Sequence, residues 1–257
     1  MTATVQLFRG LLVKEWAILK RYWLNTVGGI IGAFLFFAVA FFGGQAVAGA
    51  RLDESLAGLV VGYFLVILGI AAYQDTTNKV TREAQWGTLE QLYMTPLGFG
   101  RVMLLQGVVT IGFSFVWGIG VLGLMLVLTG VSLSLDVVTI VPIATLALCS
   151  VIGIGLMFAG VAVLYKRVEQ LLNLGQFVVF GLVAAPVSGH DAVYALPLAQ
   201  GSAMLQRAMG EGTRLWEFSL LDHAVLLGVG LGYLAMGYLV FMWFTSVAKR
   251  RGVLGHY

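Results

Sequence analysis

The residue types that carry chemistry are few in this chain, and their spacing is poor for catalysis. The three histidines are His190, His223 and His256. Ser188-Gly189-His190 is the only place where a Ser and a His lie close, and residues this near in sequence rarely aim at each other, so a turn is the better reading. The single cysteine, Cys149, sits in an apolar run. Alone it forms neither an intrachain disulfide nor a multi-cysteine metal site, and it suits a small buried core position. No Lys follows a Gly, which excludes a G-x-x-x-x-G-K-[ST] phosphate loop, and H-E-x-x-H and G-x-S-x-G are also absent. The apolar runs hold no convincing nucleophile and base, so an intramembrane enzyme has no support. The chain is expected to be non-catalytic, with no metal and no cofactor of its own.

The polar stretch 81–97 carries the strongest local pattern. Thr88 can cap a helix, with Gln91 three residues on completing a capping box. Glu90 in the first turn suits the helix dipole, Gly87 permits a tight turn before the cap, and Pro96 stops the helix after about two turns. Leu89, Leu92 and Tyr93 then share one apolar face. Such a helix suits docking in a partner's groove, and equally suits lying on a membrane surface.

The composition says what must position this stretch. Sixty per cent of the 257 residues are hydrophobic, 34 are Gly, only 11% are charged, and the mean hydropathy is +0.95. A soluble domain carries about 25% charge, so a soluble enzyme, a disordered chain and a DNA-binding domain are excluded. The expectation is an all-α polytopic membrane protein with six transmembrane helices, at 27–48, 56–73, 102–128, 137–164, 171–187 and 224–247. Each approximates the roughly 20 apolar residues that a bilayer requires. The third and fourth are long enough to tilt or to extend into the interface. Pro142 is expected in the first turn of the fourth, where proline is tolerated, and the fifth is short and ends at Pro186. The first run is too long and begins too late for a cleaved signal peptide, despite the small residues Ala46-Val47-Ala48.

Lys and Arg set the expected orientation. Six spans put both termini on one side, with the loops 74–101 and 165–170. That side holds Arg9, Lys14, Lys20, Arg21, Lys79, Arg82, Arg101, Lys166, Arg167, Lys249, Arg250 and Arg251, leaving only Arg51, Arg207 and Arg214 opposite. Seven of the twelve acids lie with those three. The net charge of +3 is thus a topology signal, with both termini cytoplasmic, rather than a sign of nucleic acid.

Residues 1–26 form a cytoplasmic segment of their own, ahead of a six-helix domain at 27–257. Within it Val5, Phe8, Leu12, Trp16, Leu19 and Trp23 fall on one helical face, which predicts an interfacial helix in the membrane plane. Outside, 188–223 is the longest loop, and its apolar part 196–209 predicts a short re-entrant helix, which protein must shield. Gly28/Gly32, Gly58/Gly62 and Gly228/Gly232 are small-xxx-small pairs that permit close helix packing. Polar residues within the runs are neutral: Gln45, Gln106, Ser114, Asn173 and Gln176. Ion-coupled carriers need intramembrane ionisable groups, so a self-powered carrier is disfavoured. A partner-independent channel or secondary carrier stays as the alternative to a pathway driven from outside.

Glu83-x-x-x-Gly87-Thr88-Leu89-Glu90-x-Leu92, followed by Pro96, resembles the E-x-x-x-G-T-L-E-x-L-x-x-x-P segment of ABC-2 type permeases, the membrane subunits of one class of ABC exporters. The resemblance covers the chain in outline: an N-terminal amphipathic connecting helix, six spans, both ends inside, and an apolar re-entrant hairpin before the last span. It implies that two permease copies or homologues pair in the lipid bilayer of a prokaryotic plasma membrane. Each would dock a separate nucleotide-binding ATPase subunit, which holds ATP and Mg. Residues Gly87, Thr88, Leu89, Glu90, Leu92, Tyr93 and Pro96 would form the coupling helix. Arg82 and Glu83 would pair with the ATPase or with the N-terminal helix. The second and fifth spans would face the pathway, which nominates Tyr63, Tyr73, Asn173 and Gln176. The stretch Leu196-Pro197-Leu198 would belong to the external gate. The implied cargo is hydrophobic or amphipathic: a drug, a lipid or a lipid-linked glycan.

Overall fold

A computed structural model describes residues 3–48, 56–85, 94–95, 98–165, 169–184 and 191–251. Among them every regular element is a helix: α1 (Ala3–Arg21), α2 (Trp23–Ala48), α3 (Leu56–Gln85), α4 (Phe99–Thr129), α5 (Val137–Tyr165), α6 (Glu169–Ala184), α7 (Ala199–Gly210) and α8 (Leu220–Arg250). Short 3-10 turns at Asp191–Ala195 and Leu215–Glu217 flank α7.

Local chemistry sets several boundaries. Gly130 ends α4 in the left-handed conformation (φ 65°), its N–H donating to Leu126 O. Asp136 opens α5 by accepting from Val138 N (3.2 Å) and Thr139 Oγ1 (2.6 Å). Ser219 caps α8 in a capping box, accepting from Asp222 N at 3.1 Å while the Asp222 carboxylate accepts from Ser219 N. Pro142 is the sixth residue of α5 rather than part of its first turn, because the helix already starts at Val137.

Five helices, α2, α3, α4, α5 and α8, are long and apolar enough to cross a membrane. The expected sixth, at 171–187, is α6, whose apolar part is only Leu172–Val183. Its 16 residues span about 24 Å at 1.5 Å per residue, short of a roughly 30 Å hydrocarbon core. The exterior is apolar: Leu35, Phe36, Val39, Ile119, Val127 and Leu239 are all exposed. Apolar surface this extensive is compatible with a polytopic membrane protein. Exposed Trp16, Tyr22, Trp23, Tyr165 and Trp243 gather toward one end of the bundle, and Tyr194 and Trp216 toward the other. Aromatic belts of this kind sit at membrane–water interfaces.

Helices α3 and α5 are the most buried spans and α2 the least. The tightest packing joins α5 to α8, which run parallel. A Cβ on Gly153 would lie 2.1 Å from Tyr233 O, one on Gly237 would lie 2.0 Å from Gly153 O, and one on Gly230 would lie 2.5 Å from Leu146 O. Gly160 lies against Phe241 and Phe244. Both helices carry their glycines seven residues apart, so one stripe keeps facing the partner. Among the described residues of this chain the expected small-xxx-small pairs make no close contact. Gly28, Gly32, Gly62, Gly228 and Gly232 face open space, and Gly58 meets only Gln206 Oε1, at 3.8 Å.

The stretch 188–223, expected as a loop, contains a helix that packs on the bundle. Helix α7 buries Ala199, Gln200, Gly201, Ser202, Met204, Leu205, Ala208 and Met209, packed against α3, α5 and α8. Leu198, just before it, is buried with φ 66°. A left-handed leucine costs about 1–2 kcal/mol, held here by burial where Gly69 of α3 meets Val151 of α5 and Val179 of α6.

Candidate functional site

The candidate site lies where α1, α3 and α4 meet, and it depends on α3 being longer than the sequence pattern implied. Residues 74–86 contain neither Gly nor Pro, so no stop signal follows the apolar run at Tyr73. The helix continues to Gln85, with 30 residues in all, or about 45 Å at 1.5 Å per residue. Asp75, Lys79, Arg82 and Glu83, expected on the loop 74–101, are therefore helical residues.

Helix α1 docks by Leu7, Leu11 and Glu15, spaced four apart, with Leu11 and Glu15 buried. The expected apolar stripe points elsewhere: Val5, Leu12, Trp16 and Trp23 are exposed. One face thus meets the protein while the neighbouring apolar face is left for surroundings that welcome it.

Docking places Glu15 against α3. Lys79 Nζ lies 2.7 Å from Glu15 Oε1 and also contacts Asp75 Oδ2, one helical turn back. Gln106 Nε2 of α4 donates to Glu15 Oε1 at 3.4 Å, and Thr110 Oγ1 donates to Asp75 Oδ2. Glu15 is 9% exposed. Two carboxylates share one ammonium, so the triad is net −1. A half-hidden pair of this kind gives position more than net stability, because desolvation offsets much of the Coulomb gain. Arg82, exposed on the next turn, donates from Nε to Asn78 O at 3.3 Å. A cavity of about 650 Å³ opens beside the triad between α1, α3 and α4. A second, of about 120 Å³, lies on the other side and is lined by Lys79, Glu83 and Gln106. Thr76 Oγ1, on the wall of the second cavity, is buried without a hydrogen-bond partner.

Of the expected coupling residues, Arg82 and Glu83 form the end of α3, one exposed and one half-buried. Gly87, Thr88, Leu89, Glu90, Leu92, Tyr93 and Pro96 lie outside the described residues. Gly98 (φ 77°) leads into α4, and its N–H donates to Thr95 O at 3.0 Å.

Three of the four pathway candidates, Tyr63, Tyr73 and Gln176, fall on packing seams within this chain. Tyr63 OH donates to Ala33 O (2.7 Å), with its ring 5.2 Å from that of Phe37. Tyr73, 1% exposed, donates to Leu172 O at 2.9 Å. Gly175 makes room for it, since a Cβ there would lie 2.0 Å from the Tyr73 hydroxyl. Gln176 accepts from Gln74 Nε2 at 3.0 Å, joining α3 to α6, while Asn173 is exposed. None of the four lines either cavity, although Gln74 lines the larger.

At the opposite end a smaller polar group ties α7 to α8. Gln200 Nε2 donates to Asp222 Oδ1 (3.0 Å), and Arg207 lies 3.7 Å from Asp222 and 4.8 Å above the Phe218 ring. His223 Nδ1 is 2.9 Å from Ser219 O, within the first turn of α8. His190 and His256 lie outside the described residues. Among the described residues no three His, Cys, Asp or Glu side chains gather as a metal site. No family model matches the chain, and no curated protein matches it significantly.

The sequence reading missed the Glu15–Lys79–Asp75 triad. The signal was present in the i, i+4 spacing of Asp75 and Lys79 and in the lack of a helix breaker before Gly87. Glu15, 60 residues away, could be assigned to it only once the register of α1 was known.

Proposed function

We propose that this chain is the membrane-spanning permease subunit of an ATP-driven ABC exporter of the ABC-2 type. Its energy comes from a separate nucleotide-binding subunit. Six spans, the short α6 among them, put both termini in the cytoplasm of a prokaryote. Helix α1 serves as the connecting helix, and α7 as the re-entrant segment at the external side. Two permease copies or homologues form the pathway, and a hydrophobic or amphipathic cargo (drug, lipid or lipid-linked glycan) crosses it.

The observation that carries this reading is the unbroken α3. The E-x-x-x-G-T-L-E-x-L motif begins at Glu83, in the last turn of a helix that runs through the bundle. The same helix is tied to α1 through Lys79 and Glu15. A push on residues 87–93 would reach both α1 and the bundle core through one rigid element. The test is co-purification with a nucleotide-binding protein encoded beside this gene. Wild-type chain is expected to bring it down, and Leu89→Asp to lose it. The chain alone is expected to hydrolyse no ATP. An intact complex in Leu89→Asp would overturn the docking role of that segment.

A second reading, an ion-coupled carrier, draws on the Glu15–Lys79–Asp75 triad. Those charges sit toward one end of α3, about 28 Å from Leu56 at 1.5 Å per residue, not at the midplane where carriers hold their ions. Uptake by the chain alone in ATP-free liposomes would favour the carrier.

A further inference from the structure

We infer that the 650 Å³ cavity between α1, α3 and α4 is a binding site for the ammonium head of an amphiphile. The two ends of the cavity differ in chemistry. Ile67, Ile70, Phe113 and Trp117 line one part, and Glu15, Asp75, Asn78 and Arg82 the other. Its volume lies in the range of small-molecule sites, about 300–1,000 Å³. A ligand that fills it must be apolar at one end and polar at the other.

The charges say which polar head. Glu15 and Asp75 both border this cavity, whereas Lys79 borders the smaller cavity on the far side. The lysine engages Glu15 Oε1 and Asp75 Oδ2. Gln106 and Thr110 donate to those same two oxygens. Glu15 Oε2 and Asp75 Oδ1 have no protein partner among the described residues. Glu15 is nine-tenths buried and borders the cavity, so a cation in that space would meet a carboxylate set largely apart from bulk water. A primary ammonium brings three donors and one positive charge, and it neutralises the net −1 of the triad. A neutral hydroxyl supplies only one donor and leaves the charge on the two carboxylates.

Depth fits a ligand that enters from a bilayer. Asp75 lies about 28 Å along α3 from Leu56 at 1.5 Å per residue, and Ile67 about 16 Å along it by the same rise. Exposed Trp16, Tyr22 and Trp23 sit at the same end as the carboxylates, the level at which aromatic side chains meet headgroups. The head would therefore rest at the interface and the tail in the hydrocarbon. Two sources offer this chemistry: an aminophospholipid of the membrane and a soluble cationic amphiphile. Arg82, at the polar end, favours a ligand that also carries a phosphate. The site lies within one chain and does not rest on the exporter reading.

The test uses the full chain in phosphatidylcholine nanodiscs, titrated with dodecylamine or dodecanol, with tryptophan fluorescence as the readout. Dodecylamine is expected to saturate at a concentration at least about tenfold lower than dodecanol, as charge-assisted hydrogen bonds exceed neutral ones. Trp117→Phe is expected to remove most of the signal. Glu15→Gln/Asp75→Asn is expected to abolish the preference while still binding both weakly. Ile70→Trp, which fills the apolar half without touching a charge, is expected to weaken both ligands. Equal affinity for amine and alcohol would overturn the proposal, and so would a preference that persists in the folded Glu15→Gln/Asp75→Asn protein. Native mass spectrometry after exposure to phosphatidylethanolamine or phosphatidylglycerol then separates the sources. Retention of phosphatidylethanolamine alone, reduced by Arg82→Gln, supports the lipid. Dodecylamine binding without retained lipid supports a soluble amine.

Discussion

Two seams in this bundle are built by opposite means. Between α5 and α8 the side chains have been deleted: Gly153, Gly230 and Gly237 bring backbone against backbone, with no room for a methyl group. Between α3 and its neighbours α1 and α4 large side chains remain, apolar in one part and charged in the other, and they enclose two cavities. The first seam has one arrangement, because a backbone carbonyl cannot rotate away as a side chain can. The second is held by an ion-paired triad and hydrogen bonds beside space that a ligand can enter. Rigid packing belongs to the α5/α8 half, and adjustable packing to the end of α3 where the motif begins.

The largest expected effect breaks the rigid seam. Gly153→Val must part α5 from α8, since its Cβ alone would sit 2.1 Å from Tyr233 O. Overpacking typically costs about 1–3 kcal/mol, occasionally more, and this site belongs at the upper end because the obstacle is backbone. A melting series in detergent, read as the fraction of protein that elutes as a single species, should show a fall of many degrees. A melting point near wild type would mean that the two helices are free to separate and that the contrast between the seams is wrong.

A smaller loss is expected at the polar seam. Lys79→Met leaves Glu15 and Asp75 facing each other without their shared cation. Removing one partner of a fully buried pair costs about 3–5 kcal/mol. Here the Asp75 side chain is 31% exposed, and it borders an open cavity. Water can take up much of the exposed charge, so about 1–2 kcal/mol is the expected loss by the same principle. Lys79→Met/Asp75→Asn should recover part of it, because one carboxylate is then neutral. If Lys79→Met matches Gly153→Val in the same melting series, the seam is as dry and fixed as the glycine seam.

These two seams also mark where the sequence was readable. Apolar runs located the five long helices, because the length needed to cross a bilayer is written directly in composition. Gly130 and Ser219 mark a helix end and a helix start through their own backbone and side-chain chemistry. The glycine seam was hidden: among 34 Gly, the useful ones are separated from their partners by about 80 positions, and local spacing drew attention to Gly28/Gly32 and Gly228/Gly232 instead. The polar residues Tyr63, Tyr73 and Gln176 stood out, but their partners are the Ala33 and Leu172 carbonyls and Gln74. A backbone acceptor leaves no pattern in a sequence. Glu15 reads as the polar face of α1, because only the tertiary register turns it toward Lys79.

The smallest effect tests whether the glycines that face open space are idle. Nothing lies within 4 Å of a Cβ placed on Gly32, so Gly32→Ala adds a methyl group to open space. In a helix interior Ala is favoured over Gly by about 0.5–1 kcal/mol, mainly because the unfolded glycine has more freedom to lose. The same melting measurement should therefore show a slight gain, opposite in sign to Gly153→Val. A loss instead would mean that another helix covers this face in the protein as purified. Repeating the measurement at lower protein concentration then decides the matter. A penalty that fades on dilution comes from a neighbouring chain, whereas one that stays comes from within this chain and removes the distinction between the two sets of glycines.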